Sequence, residues 1–315
     1  MKLGIYLFSQ SSFNPNKRFD VLIDRVKKYD EIGIESIWIS DGLYSRTDPS
    51  IYPHYETYSL IAAFSQHTTN IKFGTLVSPY RIRSVTLYSK MMMTLDHITK
   101  GRVIAGLGLG TTNQVQERFG FKKMTIKDQM EEFENYIITL KTLFGNEEAM
   151  NKRFNIDGYP PNPLSYTSGG PKILIGGGGE KKTLQLVAKY ADMSNMEASN
   201  EVLEHKLNVL ADWCDKVGRK YEDIENTAIR AIITGQNQEE IDQDIKWYIN
   251  RFEELGRPKP DMNQFRKDRL VGTIDEVINQ ISTLEDLGIS HLILTVNTDN
   301  TRNSIRTVHE QLKNS

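Results

Sequence analysis

Short apolar runs of strand length alternate along the whole chain with longer stretches whose apolar residues recur at i, i+3, i+4 and i+7. The strand-like runs are Leu3–Leu7, Ser36–Ile39, Ile71–Thr75, Arg102–Ala105, Lys172–Ile175, Met193–Met196, Thr227–Ile233 and His291–Val296. Helical spacing follows each of them, for example Phe19, Leu22, Val26 and Tyr29 after the first, or Leu203, Leu207 and Leu210 after the sixth. Eight strands each followed by a helix predict a (β/α)8 TIM barrel, an α/β fold, with insertion segments after strands. A doubly wound sheet alternates in the same way, so the strand count decides between them. Residues 31–40 (EIGIESIWIS) and 286–295 (DLGISHLILT) echo one another as helix end, glycine cap, then strand. Thr273 and Glu276 have capping-box spacing at the start of the helix through Val277, Ile281 and Leu284. No low-complexity linker divides the chain, so residues 1–315 read as one domain with insertions at about 145–170 and 256–269.

The chain is organised around Lys172 to Thr183, KILIGGGGEKKT, where a strand runs into four glycines and then at once into a helix. Glycines at such a junction let a ligand approach the bare backbone. The unpaired N–H groups and positive dipole of the helix start favour a phosphate there. This makes Gly176, Gly177, Gly178, Gly179, Lys182 and Thr183 candidate cofactor-binding residues, the alternative being a tight turn alone. Two sharper nucleotide motifs fail by one residue. A Walker A loop needs glycine where Lys181 stands, and the third glycine of a dinucleotide fingerprint over Gly106–Gly110 would fall on Thr111.

Composition narrows the function classes. A formal charge of −2 and a pI near 6.3 argue against general nucleic-acid or membrane-surface binding. Leu3–Phe8 is too short for a signal-peptide core or a membrane span. Cys214 is the only cysteine, and the six histidines show no metal-ligand spacing, so no metal is expected. A cytoplasmic protein acting on a small molecule fits best.

In a barrel the chemistry lies in the loops after the strands. Ser40, Asp41 and Gly42 follow the second strand. Asp41 is a candidate to orient a ligand or carry a proton, and also a candidate loop cap. His54, in a loop with Tyr44, Arg46, Tyr52 and Tyr55, is the best titratable candidate nearby, because imidazole changes charge near neutral pH. Leu76 and Val77 put apolar residues after the third strand, where they form either a buried plug or a shelf for a flat ring. Gly108, Thr111 and Asn113 after the fourth strand offer close backbone approach, a hydroxyl and an amide. No catalytic triad, carboxylate pair or metal cluster emerges, so these parts suit a phosphorylated planar cofactor that brings its own chemistry.

Several of these segments together resemble the luciferase-like monooxygenase superfamily of flavin- and deazaflavin-dependent oxidoreductases. They are SIWISD (36–41), IKFGTLVS (71–78), TLDHITKGRVIAGLGLG (94–110), KILIGGGGEKKTL (172–184), YAD (190–192) and VGTIDEV (271–277). The third and fourth are most similar to the subset that uses coenzyme F420, an 8-hydroxy-5-deazaflavin. The resemblance implies a cofactor ring in the barrel mouth and a phosphate at Gly177, Gly178 and the next helix. It also implies a bulge with a cis peptide bond between Leu76 and Val77. The expected activity is hydride transfer between C5 of F420 and a small organic substrate. The alternatives are an FMN-dependent monooxygenase and a non-catalytic cofactor-binding barrel. The sugar-phosphate dehydrogenases of the deazaflavin group carry histidine where this chain has Gly42, and glutamate where it has Thr111. A proton-transfer role cannot pass to Gly42 or Thr111, so that chemistry is not implied. Relatives commonly pair, so a homodimer is expected.

Overall fold

The computed structural model describes residues 1–7, 18–43, 55–110, 117, 119–145 and 163–314. The first half runs β1 (Lys2–Leu7), α1 (Arg18–Ile32), β2 (Ser36–Ile39), α2 (Thr57–Ser65), β3 (Lys72–Thr75), β4 (Ser78–Pro79), α3 (Val85–Thr99), β5 (Val103–Gly108) and α4 (Ile126–Leu143). The second half runs β6 (Lys172–Gly176), α5 (Thr183–Tyr190), β7 (Met193–Met196), α6 (Asn200–Val217), β8 (Glu225–Gly235), α7 (Gln238–Glu254), α8 (Met262–Lys267), β9 (Arg269–Thr273), α9 (Ile274–Asp286), β10 (His291–Thr295) and α10 (Asp299–Asn314).

All eight strands expected from the apolar pattern are present, and they close into a parallel barrel in the order β1-β2-β3-β5-β6-β7-β8-β10, with β10 returning to β1. β2, β5 and β7 are buried at every position, as parallel strands covered on both faces must be. The capping box at Thr273 and Glu276 is formed, and Gly33 and Gly288 end their helices with φ of +84° and +98°. No helix among the described residues is long and apolar enough to cross a membrane.

Three differences from the sequence reading have local causes. β8 is longer than expected: Thr227–Ala231 pairs with β10, and Ala231–Gly235 goes on to pair with an unexpected strand, β9. β9 follows a charge-rich stretch that reads as loop and itself contains the short helix α8. β5 also runs through Gly106–Gly108, beyond the end expected at Ala105, because Leu107 and Gly108 pair in parallel with β4. The insertion at 145–170 lies mostly outside the described residues.

Most of the core lies between the barrel and its helices, and a smaller cluster fills the lumen with Trp38, Ile104, Leu174, Met193 and Ile293. Trp38 fits because the flanking strands carry glycine. A Cβ on Gly74 would sit 2.6 Å from Trp38 Cε3, and one on Gly4 would sit 2.9 Å from its Nε1. Below it, at the N-terminal ends of the strands, runs a buried polar chain. Trp38 Nε1 donates to Ser36 Oγ at 2.7 Å, the Ser36 hydroxyl meets His291 Nε2 at 2.8 Å, and His291 Nδ1 meets Glu225 Oε1 at 3.3 Å. Lys2 adds a bond to the same carboxylate at 2.8 Å. This serine–histidine–glutamate line resembles a hydrolase triad, but Ser36 and His291 are 0% and 1% exposed and lie at the end of the barrel opposite the loops. It is the floor of the barrel.

The His291 hydrogen bond holds the Glu225 carboxyl far below its ordinary value of 4.5, with Lys2 helping and burial opposing. A depressed carboxylate stabilises the fold above the ordinary value, and that stability is lost as pH falls below it. Glu225→Gln should therefore cost roughly 1.5–3 kcal/mol at neutral pH and flatten the loss of stability below pH 4.5. Urea unfolding of both proteins across that range measures this. Parallel stability curves would contradict it.

Candidate active site

The C-terminal rim brings together the ends of β2, β3, β5 and β6. Leu76 N donates to Ile39 O at 2.9 Å, which ties the chain after β3 to the end of β2. The Leu76–Val77 peptide bond is cis, as the resemblance implied. Both side chains are half-buried against the lumen cluster. Val77 is wedged between two glycines. Its Cγ2 lies 2.5 Å from where a Cβ on Gly108 would be, and its Cγ1 lies 2.6 Å from the equivalent point on Gly176. Gly108 and Gly176 thus have a reason internal to the fold, which is to seat the Val77 shelf.

Beyond Gly176 the backbone turns outward. Gly177 has φ of +125°, a region side chains rarely adopt, and its N–H donates to Asn195 O at 2.9 Å. Gly179 O accepts from Leu184 N at 3.0 Å, and a Cβ on Gly179 would lie 2.8 Å from Thr183 Oγ1. Lys206 Nζ, reaching over from α6, donates to Gly178 O, and Trp213 Nε1 donates to Glu180 O. Lys182 occupies the N-cap of α5 with no side-chain cap bond. By contrast, side chains of Glu56, Ser84, Thr125, Asn237, Asp261 and Thr273 cap α2, α3, α4, α7, α8 and α9. Gly179 O takes the Leu184 N–H, and no side chain caps the remaining first-turn donors of α5. Lys181 and Lys182 are exposed beside it.

On the other side of the mouth, Asp41 is buried and held as a bidentate partner of Arg83, with Nη1–Oδ2 at 2.5 Å and Nη2–Oδ1 at 3.2 Å. Arg83 Nη2 also donates to Glu56 Oε1 at 2.8 Å, and the guanidinium lies 4.6 Å from the centre of the Tyr58 ring. Burial works against the Arg83 charge, but the hydrogen bond and charge of Asp41, with Tyr58 and Glu56, more than offset it and raise its pKa. Tyr58, fully buried, is pushed well above its ordinary pKa by burial and then by Tyr88 and Asp41. Its hydroxyl bonds Ser78 Oγ, which donates to Thr75 Oγ1, which donates to Gly106 O. Ser40 joins through its carbonyl, which accepts from Thr57 Oγ1 at 2.9 Å. His54, Thr111 and Asn113 lie outside the described residues.

Residues 1–291 match the luciferase-like monooxygenase family. The chain belongs to that family. Among curated members it is similar to the phthiodiolone/phenolphthiodiolone dimycocerosates ketoreductase of Mycobacterium tuberculosis, with 22% identity over 257 residues. That match covers 72% of this chain and 64% of the ketoreductase, so the chain spans less than two thirds of that relative's length. Among solved structures, the coenzyme F420 dependent tetrahydromethanopterin reductase of Methanopyrus kandleri superposes with a TM-score of 0.76 at 14% identity, covering 99% of this chain and 98% of that one. The oxygenating constituent of 3,6-diketocamphane monooxygenase from Pseudomonas putida, in complex with FMN, gives a TM-score of 0.70 at 16% identity, covering 98% and 94%. At these identities the structures share the fold of this luciferase-like chain. The family supplies oxidoreductases and monooxygenases, with both F420 and FMN among the neighbours.

Sequence reasoning missed Arg83, Glu56, Tyr58 and Ser78. Arg83 stands 42 residues from Asp41, and no periodicity links two residues that far apart. Asp41→Asn keeps the shape and removes the charge that faces Arg83. It should destabilise the fold by roughly 1.5–3 kcal/mol, the worth of hydrogen bonds to a charged group. Denaturant unfolding checks this, and a change under about 0.5 kcal/mol, the usual size of a surface effect, would show that Glu56 alone holds the arginine.

Proposed function

We propose that this protein is a coenzyme F420-dependent oxidoreductase that moves hydride between C5 of the deazaflavin and a small organic substrate. The observation that carries the reading is the cradle: a glycine loop opens onto a helix start that no side chain caps, beside an apolar shelf on the same rim. The free donors of α5 suit a phosphate, and Lys181 and Lys182 add charge around it. Leu76 and Val77 offer an apolar surface for a ring. F420 is preferred over FMN because segments 94–110 and 172–184 are most similar to the F420-using subset of the family. When bound, F420 would supply hydride transfer at C5, whereas FMN would supply oxygen chemistry. The chain's own part is to bind, orient and shield. The Asp41–Arg83–Glu56 fork holds the wall beside the ring fixed, and Asp41 acts there as a positioning residue. A homodimer acting on a small-molecule substrate belongs to the same reading.

The FMN reading keeps its place because the cradle recognises a phosphate that both cofactors carry. Titrating the purified protein with F420 and with FMN decides between them. Preference for F420 is expected, and tight FMN binding with none of F420 would reverse the assignment.

Gly178→Val tests the cradle itself. A Cβ there would meet only the flexible end of Lys206, 2.9 Å away at Cδ, so the barrel should fold while the added bulk obstructs the phosphate. The expected result is a cofactor affinity at least about tenfold weaker, or ~1.4 kcal/mol, with an unchanged circular dichroism spectrum. Unchanged affinity would place the phosphate elsewhere. Lys182→Ala should do less, since solvent screens its exposed charge.

A further inference from the structure

A second concentration of positive charge lies on the same rim, one sector along from the cradle. A cavity of about 250 Å³ is framed by the start of α6 (Ser199 and Asn200), by Arg230 on β8, and by Arg266, Lys267 and Arg269 between α8 and β9. Gln280 and Thr283 of α9 form its far side, and Leu270 is apolar lining.

Arg230 is 4% exposed. Its hydrogen-bond acceptors are neutral: Ile229 O at 3.1 Å and Asn200 Oδ1 at 3.4 Å. Among the described residues it makes no ion pair with a carboxylate. A buried guanidinium without an anion is costly, and guanidinium geometry suits the two oxygens of a carboxylate or phosphate. Arg269 is half satisfied. Its plane lies 4.1 Å from the Phe265 ring centre and its Nη1 donates to Phe265 O at 3.2 Å, while its buried Nε has no partner.

The start of α6 lacks a cap as well. Ser199 makes no bond to the helix N–H groups, and its hydroxyl turns to Glu201 Oε2 at 3.2 Å. Like α5, α6 therefore presents unpaired donors to the space in front of it. Among the described residues, Glu201 is the one carboxylate that lines the cavity, against four cations. Burial lowers the pKa of both Arg230 and Arg269, and Glu197 and Asp268, preceded at Arg269 by Tyr248, restore it only in part.

We infer that this cavity is a second oxyanion site, which takes the phosphate or carboxylate group of the small-molecule substrate. That the ligand is a substrate rests on the function proposed above; that the cavity takes an oxyanion does not. The chemistry sits in the guanidinium pair, the basic end of α8 and the free N–H groups of α6, none of which belongs to the cradle.

Calorimetric titration at low ionic strength with inorganic phosphate, and separately with malonate, tests the site. Each is added to the cofactor-free protein and to protein saturated with its cofactor. One bound oxyanion should persist when the cradle is filled. Arg269→Gln should weaken it at least about tenfold, while cofactor affinity stays within about twofold. Arg230→Gln is a buried change that risks the fold, so the exposed double variant Arg266→Gln/Lys267→Gln is the second arm. It should weaken the oxyanion and reduce the salt dependence of binding. Stronger binding of phosphate marks a phosphoryl substrate, and stronger binding of malonate a carboxylate one. Loss of all oxyanion binding once the cradle is filled would overturn the site, as would binding indifferent to both variants. Failure of the cofactor to bind would overturn the cradle alone, and the effect of Arg269→Gln on phosphate would still decide the cavity.

Discussion

The mouth of this barrel depends on close approach of backbone at a few glycines. Two side chains enter the lumen from strand ends, and each is flanked by a pair of residues without a Cβ. Trp38 lies between Gly4 and Gly74, and Val77 between Gly108 and Gly176. Lumen packing is a steric problem before it is a chemical one: a large side chain on one strand requires absence on its neighbours. With Trp38 filling the lower lumen and Val77 braced above it, the apolar shelf is held from both flanks. The glycine loop after β6 begins at one of the residues that brace it.

The polar groups divide by height in the barrel. At the floor, Ser36, His291 and Glu225 hydrogen-bond one another, and the exposed Lys2 bonds the same carboxylate from outside. At the rim, satisfaction is selective. Asp41 and Arg83 are paired, and most helix starts are capped by a side chain of their own. Among the α-helices whose N-cap is described, α5 and α6 are the ones without such a bond, and both open on the face where a barrel places its chemistry. A polar residue in the lumen is thus poor evidence of function here.

Much of this was legible in the sequence. Eight apolar runs of strand length located the eight barrel strands, because parallel strands buried on both faces read as continuous apolar segments. KILIGGGGEKKT marked the junction of β6, the glycine loop and α5, because strand, glycines and helix follow without interruption. The roles of individual glycines were not legible. Gly108 and Gly176 read as cofactor contacts, and their second role, room for Val77, was hidden because Val77 is distant in sequence from both. β9 was hidden by its charged approach, and Arg230 by standing inside a strand whose pattern accounts for it as one more outward-facing residue. In both cases the partner is set by topology, which local periodicity does not encode.

The central claim is that the cradle at α5 and the Val77 shelf form one site for a phosphorylated flat cofactor. A crystal structure of the protein with F420 tests it most directly. The account predicts the cofactor phosphate within hydrogen-bonding distance of backbone N–H groups in Gly178–Thr183, with the ring against Leu76 and Val77. A phosphate bound anywhere else on the barrel, or a ring that does not touch Val77, would contradict it.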